Sequence, residues 1–273
     1  MLKNENAKFE TPDFNKFAGS YDRFLTLIAP VGEAIIEKLP ANLDTFHILD
    51  VACGTGEPGL TLASRHPSAT IESIDAAQNM IAIATQKAKD RQMLNISFQT
   101  MSAEQTTFAP NTFDYIISRF GLGMFGDTQR SAVEAHRILK PGGKMVVSVW
   151  HDMSLNTLFR TMAETRQQIL DKTKQPIVAS PGTQAEEQFA AAGLSIVSAN
   201  TFSWHYHFAT LSDLEAMVCT SLTNMLRVHP EQLRDETEED ETTAKIIQNF
   251  AQYKDDRGAY LIPHTCLLIE AQK

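Results

Sequence analysis

The sequence predicts an α/β protein: a doubly wound, mostly parallel seven-stranded sheet that closes with an antiparallel C-terminal hairpin and carries a helical lid. Between about residues 40 and 150, short apolar runs rich in β-branched residues alternate with segments of helical period. Turns rich in glycine and proline join them. After Trp150 the pattern changes, and Ser195–Phe208 alternates strictly, with Phe202, Trp204, Tyr206 and Phe208 on one face and Ser203, His205 and His207 on the other.

Phe46–Cys53 reads as a buried strand, followed by a glycine-rich turn and a short helix to about Arg65, with Pro58 in its first turn, where a missing N–H costs little. Thr70–Ile74 is a second strand closed by Asp75, Gln78–Gln92 a helix and Ile96–Thr100 a third strand. Phe113–Ser118 is the fourth strand, and Asp127 caps a helix to Leu139 that Pro141-Gly142-Gly143 ends before the fifth strand, Lys144–Trp150. Leu155–Lys172 is expected to be helical, Thr183-x-x-Glu186 opens a helix stopping at Gly193, and Ser212-x-x-Glu215 caps one from Asp213 to about Arg227. An acidic stretch, Arg234–Glu241, and a helical segment, Thr242–Lys254, precede the last strand, Ala259–Ala271. The whole chain, 1–273, is expected to be one domain, with sheet core at about 40–150, 183–208 and 258–272 and lid elements at about 1–30, 151–180 and 209–256.

A net charge of −9 makes a phosphate backbone a poor partner. No apolar run approaches the ~20 residues that span a bilayer, and Met1–Glu10 lacks the apolar centre of a signal peptide. The three cysteines, Cys53, Cys219 and Cys266, are widely spaced, which argues against both a zinc site and a disulfide framework. A cytoplasmic protein acting on a small molecule, with no nucleic-acid, membrane or metal partner, is the expectation.

The chemistry concentrates in Asp50–Gly59, DVACGTGEPG. Gly54 and Gly56 allow a tight turn and a close approach of backbone to ligand. Asp75, about twenty residues on, stands where doubly wound folds place an acid for ribose hydroxyls. Gly54-x-Gly56-x-x-Gly59 also fits a dinucleotide fingerprint, so a nicotinamide or flavin dinucleotide competes with S-adenosylmethionine. Asp50 would repel a pyrophosphate but could organise a loop that receives a cationic amino-acid tail.

LDVACGTG resembles the first motif of class I methyltransferases, FDYIISRFGLGMF their fourth-strand motif, and RILKPGGKMVVSVW the helix, turn and fifth strand that follow. The resemblance covers about residues 40–150 and is nearest to the ubiquinone/menaquinone-biosynthesis-like, small-molecule branch. It implies a Rossmann-like methyltransferase fold using S-adenosylmethionine. By position, Asp50, Ala52, Gly54 and Gly56 would shape the methionine end of the pocket. Asp75 would hold the ribose, with Ala76 beside the adenine, Met80 packed on it, and Ser102 and Ala103 at its edge. Ser118, Arg119 and Phe120 would line the region near the sulfonium, and Tyr21 in FAGSYD resembles the tyrosine of an N-terminal lid. Ala52 stands where the family commonly has Gly, Ala77 where it has Ser, and Ser102 where it has Asp.

Plainer roles stand beside these. Asp50 could cap the sheet end, Asp75 could cap the following helix, Tyr21 could be a half-buried aromatic, and Arg119 could pair with a carboxylate under the loop. His205 and His207 read as surface histidines, Asp235–Glu241 as a solvated face and Met217–Leu226 as lid core. Methyl transfer from a sulfonium needs a base only when the nucleophile must lose a proton; no catalytic group is assigned, and His151, just past the fifth strand, is the candidate. The rivals are a nicotinamide-dependent oxidoreductase and a non-catalytic S-adenosylmethionine-binding module.

Overall fold

The computed structural model describes residues 14–19, 21–124, 126–150, 155–161, 164, 181–224 and 236–273. Its strands are β1 (His47–Val51), β2 (Thr70–Asp75), β3 (Ile96–Thr100), β4 (Phe113–Arg119), β5 (Leu139–Val149), β6 (Ser195–Phe208) and β7 (Tyr260–Gln272). They form one seven-stranded sheet in the order β3-β2-β1-β4-β5-β7-β6. The first five run parallel, and β7 lies antiparallel between β5 and β6. The fold read from the sequence is borne out in its parallel core and its antiparallel end. The strand order reverses between β1 and β4, so the crevice for a ligand opens at their C-terminal ends, where Val51 leads into the glycine turn.

The described helices include α1 (Phe14–Phe17), α2 (Tyr21–Glu37), α3 (Gly59–Arg65), α4 (Gln78–Asp90), α5 (Thr128–Ile138), α6 (Ala185–Ala191), α7 (Leu211–Asn224) and α8 (Glu236–Asn249). In α2, Leu25, Ile28, Val31, Ala34 and Ile35 recur on one helical stripe and are all buried against the sheet. The Trp204 indole N–H donates to the Leu27 carbonyl at 2.9 Å and ties this helix to β6. Helices α7 and α8 pack on each other, and α7 lies against β6.

Three expectations about local structure are corrected. Pro141-Gly142-Gly143 does not separate helix from strand, because β5 begins at Leu139 and runs through it. The chain end holds the segment extended: Gly142 N–H donates to the Lys273 carbonyl and Lys273 N–H to that of Gly143, both at 3.0 Å. The cap of α7 is Thr210-x-x-Asp213 rather than Ser212-x-x-Glu215, since Thr210 N–H donates to Asp213 Oδ2 at 2.9 Å and Asp213 N–H returns to Thr210 Oγ1 at 3.2 Å. Pro58 occupies the N-cap position of α3, one residue ahead of its first turn. The expected cap at Asp127 does form, with Oδ1 accepting from Arg130 N–H at 3.0 Å. Most of the expected helix Leu155–Lys172 lies outside the described residues; 157–161 are helical.

The alternation of β6 appears as drawn from the sequence, with Trp204, Tyr206 and Phe208 buried and His205 and His207 exposed. The core beneath α5 centres on Phe113, which has no exposed surface and meets His47 at 4.6 Å and Phe108 at 4.9 Å between ring centroids. Phe113→Ala is therefore expected to destabilise the fold by about 3–5 kcal/mol in urea denaturation, whereas Leu94→Ala, at a side chain 98% exposed, should stay within about 0.5 kcal/mol. Equal losses would refute this placement of the core.

Candidate functional site

The turn from β1 to α3 needs a left-handed backbone three times: φ is 56° at Ala52, 56° at Gly54 and 108° at Gly56. Glycine adopts this region freely, whereas at Ala52 it costs about 1–2 kcal/mol. That methyl has a consequence across the crevice. A Cβ on Gly121, in the turn after β4, would collide with the Ala52 Cβ and lie 3.0 Å from Ser118 Oγ. The two turns thus share one small-residue seam.

Asp75 and Asp50 hold the loop from opposite sides. Asp75, half-buried at the end of β2, accepts from Gly54 N–H at 2.9 Å through Oδ2 and from Ala77 N–H at 2.8 Å through Oδ1. Burial raises its pKa, against the pull of those two N–H groups. Ala76 beside it is exposed. Asp50 is fully buried beneath the loop, and its Oδ2 accepts from Gly59 N–H, the first of α3, at 3.0 Å. Burial pushes its carboxyl up to about 8, although the Arg119 guanidinium and the Gly59 N–H draw it down.

Arg119, 8% exposed, lies under the loop and donates to the Glu57 carbonyl at 2.9 Å through Nη2. Gly32 of α2 makes room for it, since a Cβ there would come within 3.2 Å of Arg119 Nη1. Ser118 is buried and engaged, its hydroxyl donating to the Val51 carbonyl at 2.7 Å and accepting from Leu122 N–H at 2.9 Å. Phe120, with φ 56°, stacks on Trp150 at 3.9 Å.

The upper side of the loop is covered by α2 and α4. Tyr21 stands over Gly54, where an added Cβ would meet its ring at 3.3 Å. Burial raises the Tyr21 hydroxyl pKa, with Arg119 lowering and Asp75 raising it. Met80 is buried beside Ala18 and Ala77, with Phe14 and Tyr21 packed on that cluster. Ser102 is exposed and accepts from Glu104 N–H at 3.2 Å, while Ala103 packs on the core edge. The structure thus gathers Tyr21, Asp50, Ala52, Gly54, Asp75 and Arg119 around one loop, and His151 lies outside the described residues.

A polar clasp escaped the sequence reading. The Asp22 carboxylate accepts from the Thr55 hydroxyl at 2.6 Å and from Lys87 Nζ at 2.7 Å, and Lys87 also donates to the Thr55 carbonyl at 3.1 Å. It joins α2, the loop and α4 across 33 and 65 residues of sequence, a separation no local pattern can signal. Among the described residues, no cluster of His, Cys, Asp or Glu could hold a metal ion, and no helix is long and apolar enough to cross a membrane.

Comparison with known proteins agrees with this architecture. A family described as a methyltransferase domain matches residues 48–143. A demethylmenaquinone methyltransferase of Geobacillus sp. is 38% identical over 99 residues, covering 36% of this chain and 42% of that protein. One from Thermus thermophilus is 38% identical over 112 residues, covering 41% and 48%. The match thus spans less than half the length of each of these relatives. In structure, a Haemonchus contortus phosphoethanolamine N-methyltransferase solved with S-adenosylhomocysteine superposes with a TM-score of 0.57 at 18% identity, covering 96% of this chain and 60% of that one.

Two expectations arise from the loop. Gly121→Ala should cost about 1–3 kcal/mol by overpacking, and Ala52→Gly should recover part of the loss in the double variant, a coupling of roughly 0.5–3 kcal/mol; strictly additive urea midpoints would exclude the shared seam. Because Asp50 binds its proton more tightly folded than unfolded, its contribution is complete below about pH 4 and is lost as pH rises toward about 8. Asp50→Asn should flatten that decline, and an unchanged slope between about pH 5 and about pH 8 would contradict the buried neutral acid.

Residues 48–143 match a methyltransferase-domain family, and the described chain has the fold of a solved methyltransferase.

Proposed function

We propose that this protein transfers a methyl group from S-adenosylmethionine to a small, partly apolar molecule by in-line displacement. One observation carries the choice of donor. The first N–H of α3, which a dinucleotide fold offers to a pyrophosphate, is already taken by Asp50 at 3.0 Å. The loop therefore suits a cationic amino-acid tail better than a dianionic linker. Acidic Asp75 at the rim and the left-handed backbone at Gly54 and Gly56 fit the same donor.

When bound, S-adenosylmethionine supplies a methyl carbon already activated by the sulfonium charge. The chain's own residues supply position and exclusion of water. Asp75 retains acceptor capacity for ribose hydroxyls after its two backbone bonds. Ala76, Met80, Ser102 and Ala103 are assigned to the adenine side, and Tyr21 to the cover. Ser118 and Arg119 act from below: their polar atoms bind the Val51 and Glu57 carbonyls and so hold the loop's shape. Phe120 supplies an apolar wall. The described parts of the segments at about 1–30 and 209–256 are assigned to a lid over this end of the sheet, and most of the expected lid segment at about 151–180 lies outside the described residues. The buried free thiols of Cys53 and Cys266 suit the reducing cytoplasm as its location.

Calorimetric titration tests the donor. S-adenosylhomocysteine is expected to bind and NAD(P) not to, and Asp75→Ala should weaken the former about tenfold or more while the protein stays folded. Preference for NAD(P), or unchanged affinity in the variant, would reject the assignment.

A further inference from the structure

Strands β6 and β7 continue together beyond the end of β5. The last β5–β7 pair is Val149 with Leu267, while Trp204 still pairs with His264 and Phe208 with Tyr260. This overhang projects past the C-terminal edge of the parallel strands, on the side where the donor loop lies. Its inner face is aromatic. Phe120 stacks on Trp150 at 3.9 Å, Trp150 on Trp204 at 6.0 Å, and Trp204 meets Tyr206 at 5.9 Å. Tyr206 in turn stacks on His264 at 3.7 Å and 17°. A row of rings thus leads from the end of β4, beside the loop, to a tyrosine and a histidine.

Both end groups are anomalous for a core. Tyr206 and His264 have no exposed surface, and among the described residues neither the Tyr206 hydroxyl nor His264 Nε2 has a hydrogen-bond partner. Buried polar groups are normally paired, and each exception calls for an explanation. Desolvation pulls the imidazole pKa down to about 3, so the ring is neutral and carries one N–H. Nδ1 faces the Ile262 carbonyl at 3.3 Å, an acceptor, which places that hydrogen on Nδ1. Nε2 is left as a bare acceptor next to an unpaired phenol. A hydroxyl, which donates and accepts at once, satisfies both.

We propose that Tyr206 and His264 are the polar end of the methyl-acceptor pocket and take a hydroxyl carried on an otherwise apolar acceptor, the ring row forming the pocket wall. This rests on the methyl-transfer reading. The route in is the first turn of α2: Tyr21 covers Gly54, and Phe24 packs on Tyr21 at 6.0 Å and on Tyr206 at 6.5 Å. Displacing that turn uncovers the donor loop and the pair together.

The test compares 2-naphthol with naphthalene, a matched pair differing by the hydroxyl, as ligands of the full chain with and without S-adenosylhomocysteine, read by tryptophan and naphthol fluorescence. The wild type is expected to prefer 2-naphthol about tenfold. Tyr206→Phe and His264→Phe should each reduce that preference severalfold with naphthalene binding unchanged. Tyr206→Phe should leave Tm unchanged or raised, since it removes an unpaired buried group. A wild type that does not discriminate, or variants that still do, would overturn the assignment and leave the pair as plain core. Failure of S-adenosylhomocysteine to bind by calorimetry would instead strike the donor reading, while naphthol discrimination by the protein alone still judges the pair.

Discussion

The site depends on one buried contact, the Asp50 carboxyl on the first N–H of α3. It sets where the helix begins and so how many residues the turn must span. With Arg119 on the Glu57 carbonyl, it makes a polar floor under a loop whose first turn is built of small residues. Such a floor must be internally satisfied or it destabilises the interior, and the neutral state that burial imposes on Asp50 lowers the cost of leaving its Oδ1 unpartnered. The loop above is then free to present backbone. Asp75 fixes its height from the neighbouring strand by holding Gly54 N–H.

A second constraint comes from the antiparallel end of the sheet. Placing β7 between β5 and β6 lets a long pair of strands overhang the parallel core. The overhang gives α2 a surface to pack on, and the Trp204 bond to Leu27 joins them. Helix α2 therefore belongs to two places at once: its body is sheet packing, and its first turn, with Tyr21 and Asp22, covers the loop. On the proposed reading, a methyl donor and an apolar acceptor both need water kept out, and one helix turn lies close to the loop and to Tyr206.

Methyltransferase architecture alone does not settle chemistry. Function is argued from the site rather than from the fold. Here the arguments are the occupied N-terminus of α3, the acid at the end of β2, and the unpaired groups at the end of the aromatic row.

Much of this was readable in the sequence, wherever a pattern is local. Apolar periodicity located β1 to β4, and the alternation of β6 predicted its buried face. The glycines and Asp75 marked the crevice because a strand end, a tight turn and an acid on the next strand recur at a set spacing. Nonlocal contacts decided the rest. Pro141-Gly142-Gly143 is strand because the chain end pairs with it, more than a hundred residues away in sequence. Asp50 and Arg119 became a floor only once β1, β4 and α2 were packed around them, and burial then moved their pKa values, Asp50 up and Arg119 down. The Asp22–Thr55–Lys87 clasp and the Tyr206–His264 stack join segments that no sequence window contains. By itself the sequence determined the fold class and the position of the glycine turn, because spacing along the chain encodes both. Tertiary structure alone decided which polar groups are spent on the scaffold and which stay unpaired, because pairing depends on what the folded chain brings within about 3 Å.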